Sequence, residues 1–235
     1  METIIHEASK RGFADHGWLK SHHSFSFADY YNAEKMHFGK LRVLNDDEVA
    51  PAQGFGLHSH KDMEIVTIPL QGALKHTDDM RNEKIISAGE VQVMSAGTGL
   101  MHSEFNASKT EPVYFLQIWI FTDQLGHKPR YGQKQFSEQD RKERWQLLVS
   151  PDGREDSLKI HQRAFISVID SGGMADTSYS LRQPGNGVYF MVIDGSADIG
   201  GNELQKRDAA GFSSFESHLN IKFLTASYLL AIEVP

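Results

Sequence analysis

Two pairs of potential metal ligands constrain this chain most, and both lie between Gly54 and Asn106. His58-Ser59-His60 follows one glycine-rich segment, and His102-Ser103-Glu104 follows another. Side chains two positions apart in an extended strand point to the same face. If two strands of one small barrel offer these pairs to each other, three imidazoles and one carboxylate meet. Such a set suits a divalent transition metal, with coordination positions left for a substrate. The stretch therefore predicts a mononuclear metal site.

The alternative interpretation is that these pairs arise by chance, because the chain contains 12 histidines. An isolated His-x-His pair on an exposed strand is more often a surface feature than a metal site. The second pair favours the metal site, because both pairs follow glycine-rich turns that would deliver them to a barrel mouth. The remaining histidines of the first 40 residues are scattered in turn-like sequence, and we do not expect them to be ligands: His16, His22, His23 and His37.

Composition excludes several classes of protein. The net charge of −7, with no compensating lysine or arginine run, argues against direct nucleic-acid binding. No apolar run is long enough to cross a bilayer, and the N-terminus lacks the features of a signal peptide. The absence of cysteine excludes disulfides, thiolate ligands and cysteine nucleophiles. We expect a cytoplasmic protein.

Short β-prone segments separated by turns run through the whole chain and predict an all-β fold. The segment 114–121 is the most apolar and is predicted to be a central strand. Residues 124–144 are polar, and Ser137-Glu138-Gln139-Asp140 resembles a capping box, which predicts a short connecting helix. We place a domain boundary there, giving an N-terminal domain of residues 1–136 and a C-terminal domain of residues 137–235.

The two halves resemble a diverged repeat, since residues 66–74 parallel residues 190–198. The second half has no His-x-His pair ahead of its copy, and near its close it offers only His218. We therefore expect no metal ligands in the C-terminal domain, which would be structural or form a lid over the first.

The motif spacing resembles that of the cupin superfamily. His58-x-His60-x3-Glu64 followed by Gly72 approximates the first cupin motif, and Gly89-x5-Ser95-x-Gly97 followed by His102-x3-Asn106 approximates the second. Ser95 stands where proline is usual, and two extra residues precede His102. These departures, together with the motif Arg11-Gly12-x4-Gly17-Trp18, match the sequence pattern of the pirin family. The chain resembles in particular the short bacterial pirin-like proteins described as quercetin 2,3-dioxygenases.

The resemblance implies two tandem cupin barrels, each a double-stranded β-helix, with a metal in the first barrel only. It implies that the ligands are His58, His60, His102 and Glu104. Glu64 is the rival carboxylate, because four residues after His60 it is expected to face inward too, and the residues alone leave the two glutamates open. The pirin resemblance assigns the ligand to Glu104 and leaves Glu64 in a supporting or core position. Fe(II) is the first choice of metal, with Ni, Co, Mn, Cu or Zn as alternatives.

The resemblance also implies the activity: cleavage of the heterocyclic ring of a flavonol such as quercetin with O2, releasing CO. Glu104 is the expected general base for the 3-hydroxyl group, and Phe25, Phe27 or Phe55 are candidates to hold the flat substrate. One alternative is a metal-binding regulatory module that acts through a protein partner, since pirins are also known as transcription cofactors. Another is a cupin enzyme with a different small aromatic substrate. Direct contact with nucleic acid or membrane is not expected.

Overall fold

The computed structural model describes residues 1–215 and 218–235, and their regular secondary structure consists almost entirely of strands joined by turns and loops. The described residues form only one short helix, α1 (Glu138–Arg141), and two single 3-10 turns, Ala8–Lys10 and Arg154–Asp156. The all-β prediction is confirmed. The predicted short helix is also present, and the hydroxyl of Ser137 accepts a hydrogen bond from the backbone N–H of Gln139 at its start. None of the described helices has the length and hydropathy needed to cross a membrane.

The strands are numbered in chain order, and the segment between β12 and β13, which contains α1, separates those of the first half from those of the second. The first half contains β1 (Glu2–His6), β2 (Gly12–Asp15), β3 (Leu19–His23), β4 (Leu41–Val49), β5 (Gly54–His60), β6 (Met63–Gln71), β7 (Ala73–Asp78), β8 (Glu83–Ser87), β9 (Glu90–Ser95), β10 (Leu100–Asn106), β11 (Val113–Phe121) and β12 (Arg130–Gln135). The second half contains β13 (Gln146–Ser150), β14 (Leu158–Lys159), β15 (Phe165–Asp170), β16 (Asp176–Ser180), β17 (Gly187–Asp194), β18 (Ala197–Ile199), β19 (Asn202–Leu204), β20 (Ala209–Ser213), β21 (His218–Phe223) and β22 (Tyr228–Val234).

Each half combines a seven-stranded sheet with a four-stranded sheet. The first half has the order β2-β3-β4-β11-β6-β9-β12 and, facing it, β5-β10-β7-β8. The second half has the order β14-β13-β15-β22-β17-β20-β1 together with β16-β21-β18-β19. The two halves share the same order of strands through the middle of each sheet, which is that of two tandem cupin barrels. They differ at one edge of the seven-stranded sheets, where β13 and β14 are parallel but β2 and β3 are antiparallel. The repeat seen in the sequence is therefore a repeat of whole barrels, and β11 is a central strand as predicted.

One strand crosses between the halves. β1 pairs antiparallel with β20, from Glu2 opposite Ser213 to His6 opposite Ala209, so the first residues of the chain complete the second barrel. His6 Nδ1 lies 2.8 Å from the hydroxyl of Tyr189, which anchors the end of this strand. The division into domains of residues 1–136 and 137–235 remains a proposal. β1 belongs to the first of these segments in sequence but pairs with a strand of the second barrel.

The two seven-stranded sheets pack face to face, and the main core lies between them. Leu44, Val66, Leu116 and Ile118 come from the first sheet, and Leu148, Ile166, Met191 and Ile232 come from the second. All eight are at most 2% exposed. Because each strand of the first sheet buries one face here, its other face is free to line the interior of the first barrel.

The interior of the second barrel is apolar at the positions equivalent to the predicted metal ligands. β16 and β21 take the places of β5 and β10. They bury Tyr179, Leu219, Ile221 and Phe223 in a core of the second barrel. Among the described residues, neither of the candidate metal-binding groups falls in this half.

The segment Ser24 to Phe27 alternates serine and phenylalanine, a pattern typical of a half-buried strand. In the structure Ser24, Phe25 and Ser26 are all buried and none of them lies in a strand. Ser26 Oγ is instead occupied by a local turn, where it donates to the backbone oxygen of Asn32 and accepts from its N–H. Hydrogen bonds within the turn thus compete with strand pairing.

Candidate metal centre

Strands β5 and β10 bring the two predicted pairs together. His102 lies directly opposite His58 in the antiparallel register. The ring centroid of His102 is 4.3 Å from that of His58 and 4.9 Å from that of His60, and those of His58 and His60 are 4.8 Å apart. One ring nitrogen from each of the three histidines lies within 4.8 Å of the other two. Three imidazoles therefore converge on a space of the size that one metal ion requires.

The register between β5 and β10 shifts between His102 and Glu104. Glu104 lies opposite Phe55, so β5 carries one extra residue relative to β10 at this point. The backbones approach so closely there that a Cβ added to Gly54 would lie 2.3 Å from the carbonyl oxygen of Glu104. The glycine-rich segment before His58 thus permits the close approach that holds Glu104 beside the histidines.

The hydrogen bonds of the histidines suit metal binding. His58 Nδ1 lies 2.7 Å from the carbonyl oxygen of Gly56, so an N–H there donates to the backbone and Nε2 is left with a lone pair. His102 is 1% exposed, and both of its ring nitrogens are buried without a hydrogen-bond partner. A buried polar atom without a partner is costly, and a metal ion would satisfy it. The donor set therefore fits a divalent metal.

His60 and His102 are held in the neutral form that binds metal. Burial, followed by the neighbouring His58, His60 and His76, lowers the pKa of His102 to about 2. Burial and His58 lower the pKa of His60 to about 4. These two imidazoles are therefore neutral over the physiological pH range.

Glu104 is fixed by two amides of the seven-stranded sheet. Its Oε1 accepts a hydrogen bond from Gln92 Nε2 at 2.8 Å, and its Oε2 accepts one from Gln117 Nε2 at 3.0 Å. Gln92 and Gln117 both lie opposite Thr67, on the two neighbours of β6. Trp119 Nε1 in turn donates to Gln117 Oε1 at 3.1 Å, which fixes the amide orientation. A row of polar residues across three strands therefore supports a carboxylate that is 1% exposed.

His76 is a member of the site that the sequence analysis missed. One of its ring nitrogens lies within 4.8 Å of ligand atoms of both His102 and Glu104. Its Nε2 is 3.0 Å from Asp78 Oδ2, and its Nδ1 is buried without a partner. The signal was present, because His76 and Asp78 form another pair with period-two spacing, on the strand next to β10.

Glu64 does not face the histidines, so the expectation that it points inward with His60 is wrong. Ser95 Oγ donates to Glu64 Oε2 at 2.6 Å, and the backbone N–H of His161 from the second half also donates to this carboxylate. The tight turn between β5 and β6, where Asp62 has φ of 48°, interrupts the alternation on which that expectation rested. Glu64 lies outside both candidate metal groups among the described residues.

A cavity of about 500 Å³ opens beside the site, and its walls combine flat aromatic rings with a polar patch. Its wall contains His58, His60 and Glu104, the aromatic residues Phe27, Tyr30, Phe55 and Trp119, and the polar residues Ser21, His23, Asn45 and Asp47. Of the predicted aromatic residues, Phe27 and Phe55 therefore line the cavity. Phe25 does not, since it is 1% exposed in the core between the two halves.

Of the four histidines that were not expected to be ligands, two line the cavity and two lie at the surface. His16 and His23 line the cavity, although neither belongs to a candidate metal group among the described residues. His23 Nδ1 is 2.9 Å from Asn45 Oδ1. His37 Nδ1 is 3.0 Å from the carbonyl oxygen of Gly39 at the surface, and His22 is exposed.

Comparison with known proteins agrees with this architecture. The profile of the Pirin family matches residues 5–120, and that of the Quercetinase C-terminal cupin domain matches residues 147–234. The chain is 51% identical over 235 residues to the quercetin 2,3-dioxygenase of Escherichia coli (strain K12), covering 98% of each protein. It is 39% identical over 225 residues to a pirin-like protein of Caulobacter vibrioides, covering 95% of this chain and 96% of the relative.

Solved structures give the same result. The bacterial pirin YhhW of Escherichia coli, in complex with nickel(II), superposes with a TM-score of 0.92 at 38% identity, covering 100% of this chain and 99% of that one. A quercetin 2,3-dioxygenase of Acinetobacter baumannii, at 18% identity and a TM-score of 0.77, shares the fold. On this full-length similarity in sequence and structure, the chain belongs to the pirin family of bicupin proteins.

Proposed function

We propose that this protein is a metal-dependent dioxygenase that cleaves the heterocyclic ring of flavonols such as quercetin with O2 and releases CO. The observation that carries the proposal is the convergence of His58, His60 and His102, with the buried carboxylate of Glu104 close to His102. His58, His60 and Glu104 lie on the wall of a cavity of about 500 Å³. A cavity of that size is typical of small-molecule sites. The name of the Escherichia coli relative, quercetin 2,3-dioxygenase, supports the choice of substrate.

The metal would be held by His58, His60, His102 and Glu104. Fe(II) is our first choice, and the nickel(II) complex of the structural relative supports the wider set of Ni, Co, Mn, Cu or Zn. Bound there, the metal would act as a Lewis acid that increases the acidity of the 3-hydroxyl group of the flavonol.

The cavity walls suit a flat, polyhydroxylated ring system. Trp119 packs edge-on against Phe27 at 5.3 Å and against His60 at 4.9 Å between ring centroids, so an aromatic surface adjoins the candidate metal site. The polar patch of Ser21, His23, Asn45 and Asp47 lines the same cavity and offers hydrogen-bonding groups to substrate hydroxyls. Apolar walls with a few placed polar groups are the usual design of such pockets.

Glu104 is better suited to hold the metal than to accept a proton as well. Both of its oxygens already accept hydrogen bonds from Gln92 and Gln117. Protonation of either oxygen would weaken the hydrogen bond that it accepts and would also weaken the carboxylate as a ligand. We therefore propose Glu104 as a metal ligand and place its role as general base second.

The alternatives make different use of the same site. A regulatory module that responds to metal through a protein partner has no need for a substrate cavity, and the open cavity beside the three histidines therefore favours an enzyme. A different small aromatic substrate would fit the same walls. Turnover of quercetin itself separates this second alternative from the proposal.

The test is anaerobic reconstitution with one metal at a time, followed by addition of quercetin and O2. Loss of the flavonol absorbance together with stoichiometric CO is the expected result. Glu104→Gln should abolish it, whereas Glu64→Gln, which alters a buried carboxyl outside the site, should retain it. Stoichiometric metal without CO release would contradict the proposed reaction and favour a regulatory role or another substrate.

A further inference from the structure

Two adjacent aspartates of β4 point to opposite faces of the seven-stranded sheet, as alternation in a strand requires. Asp46 Oδ2 lies 3.6 Å from Arg11 Nη1 and 3.3 Å from Arg207 Nε, on the face turned towards the second half. Asp47 lines the cavity of the first barrel and is only 4% exposed. Among the described residues, the two arginines next to β4 thus pair with Asp46 rather than Asp47.

The surroundings of Asp47 leave it close to the balance between its charged and neutral forms. Ser21, opposite it on β3, donates its hydroxyl hydrogen to Asp47 Oδ1. Burial raises the pKa of Asp47 to about 7, and the nearby Asp46 and Glu104 act in the same direction, whereas the Ser21 bond and Arg11 oppose them. An acid–base group is most effective when its pKa is near the working pH.

Hydrogen bonding distinguishes Asp47 from the other carboxylate of the cavity. Both oxygens of Glu104 accept amide N–H groups that have fixed positions in the sheet. The hydrogen bond to Asp47 comes from a serine hydroxyl, which can rotate and serve as donor or acceptor. Asp47 can therefore gain and lose a proton without disturbing a hydrogen bond from a side-chain amide of a neighbouring strand.

We infer that Asp47 is the residue of this cavity that receives the hydroxyl proton of the substrate, while Glu104 stays with the metal. This inference rests on the proposed function. In the step, the O–H bond of the 3-hydroxyl group breaks, directly or through one water, and its electron pair stays on the flavonol oxygen. The proton forms a new O–H bond with the Asp47 carboxylate. After ring cleavage with O2 and loss of CO, the same proton leaves with the carboxylic acid product, so the cycle balances.

The first test counts protons rather than turnover. Quercetin is bound anaerobically to the metal-loaded protein at pH 8, and calorimetry in two buffers of different ionisation enthalpy gives the number of protons released. In the wild type, the flavonolate oxygen formed beside Asp47 should raise the pKa of Asp47 above the pH of the measurement, so the carboxyl retains the proton and the net release is close to zero. In Asp47→Asn about one proton per site should be released. Glu48→Gln, which removes a carboxyl on the same strand but outside the cavity, should match the wild type.

The second test uses the pH dependence of kcat/KM as a ratio of wild type to variant, which cancels the ionisation of the substrate. Asp47→Asn should lower kcat/KM by about a hundredfold or more above pH 7, with the deficit shrinking at lower pH. Ser21→Ala removes a bond that favours the charged form of Asp47, so the acid limb of the profile should move to higher pH. A purely structural role would not move this limb.

The outcomes separate the two claims. Equal proton release from the wild type and Asp47→Asn, in a protein that does produce CO, would overturn the role of Asp47 and leave the proposed function standing. Failure of the metal-loaded protein to bind quercetin would overturn both. A uniform loss of kcat/KM at every pH, with no shift in Ser21→Ala, would also contradict the inference.

Discussion

His102 lies directly opposite His58 in the β5–β10 pair, with their ring centroids 4.3 Å apart. Two imidazoles this close, of which His102 is 1% exposed and without any hydrogen-bond partner, have little to gain from each other in the absence of a cation. Their geometry is explained when both donate a lone pair to the same ion. The close approach of His58 and His102 therefore supports the metal site that the spacing of the histidines predicts.

Removing this pair should remove the metal. We expect His58→Ala combined with His102→Ala to abolish stoichiometric metal binding, measured by elemental analysis after reconstitution, while circular dichroism still reports a β-rich fold. His37→Ala, at an exposed position that does not line the cavity, is the matched control and should retain the metal. Unchanged metal content in the double variant would refute the ligand set.

The two glutamates should behave differently on conversion to the amide. Glu104→Gln is expected to weaken metal affinity strongly, because it replaces an anionic ligand with a neutral one. Glu64→Gln should leave the metal affinity within about twofold of the wild type, since Glu64 accepts a hydrogen bond from Ser95 and lies outside the site. Competition with a chelator measures both constants, and a reversed order would reassign the carboxylate ligand.

The amides behind Glu104 should tune the metal site without contacting the metal. Gln92→Met or Gln117→Met removes one of the two bonds that orient the carboxylate, and groups of this kind are typically worth 10–100-fold in metal affinity. Gln133→Met is the control, because Gln133 donates instead to Glu90 and to the carbonyl oxygen of Ile85. If the Gln92 and Gln133 variants lost affinity equally, the effect would be general rather than local.

Asp47→Asn should stabilise the metal-free protein in a pH-dependent way. The pKa of Asp47 is raised from 3.8 to about 7 on folding, so between those values the folded protein holds a proton that the unfolded chain has lost. This group therefore lowers the free energy of unfolding as pH rises from about 4 to 7, with no further change above that. The variant has no such group, so its Tm advantage in calorimetry should grow across this window and then level off. An advantage independent of pH would contradict the assignment.

The sequence predicted those parts of the site that depend on spacing within one strand. The period of two in His58-Ser59-His60 and His102-Ser103-Glu104 is enough to put each pair on one face. Gly97 and Gly99 marked the turn before β10, whereas Gly54 and Gly56 lie within β5 itself. The all-β fold and central β11 followed from short apolar segments separated by turns.

The parts that were missed depend on register between strands. Gln92, Thr67 and Gln117 form one polar row only because three strands align there, and nothing in any one of them indicates this. The orientation of Glu64 depends on a turn that resets the alternation at Asp62. The crossing of β1 to the second barrel is a contact across more than 200 positions, which local patterns do not report.

The most direct test of the account is a crystal structure of the iron-reconstituted protein, with anomalous scattering measured on either side of the iron absorption edge. We predict one iron peak in the first barrel, contacted by ring nitrogens of His58, His60 and His102 and by a carboxylate oxygen of Glu104, and none in the second barrel. A peak bound by Glu64, or a site in which His76 replaces one of the three histidines, would contradict the ligand set. The absence of any bound iron would contradict the proposed choice of metal.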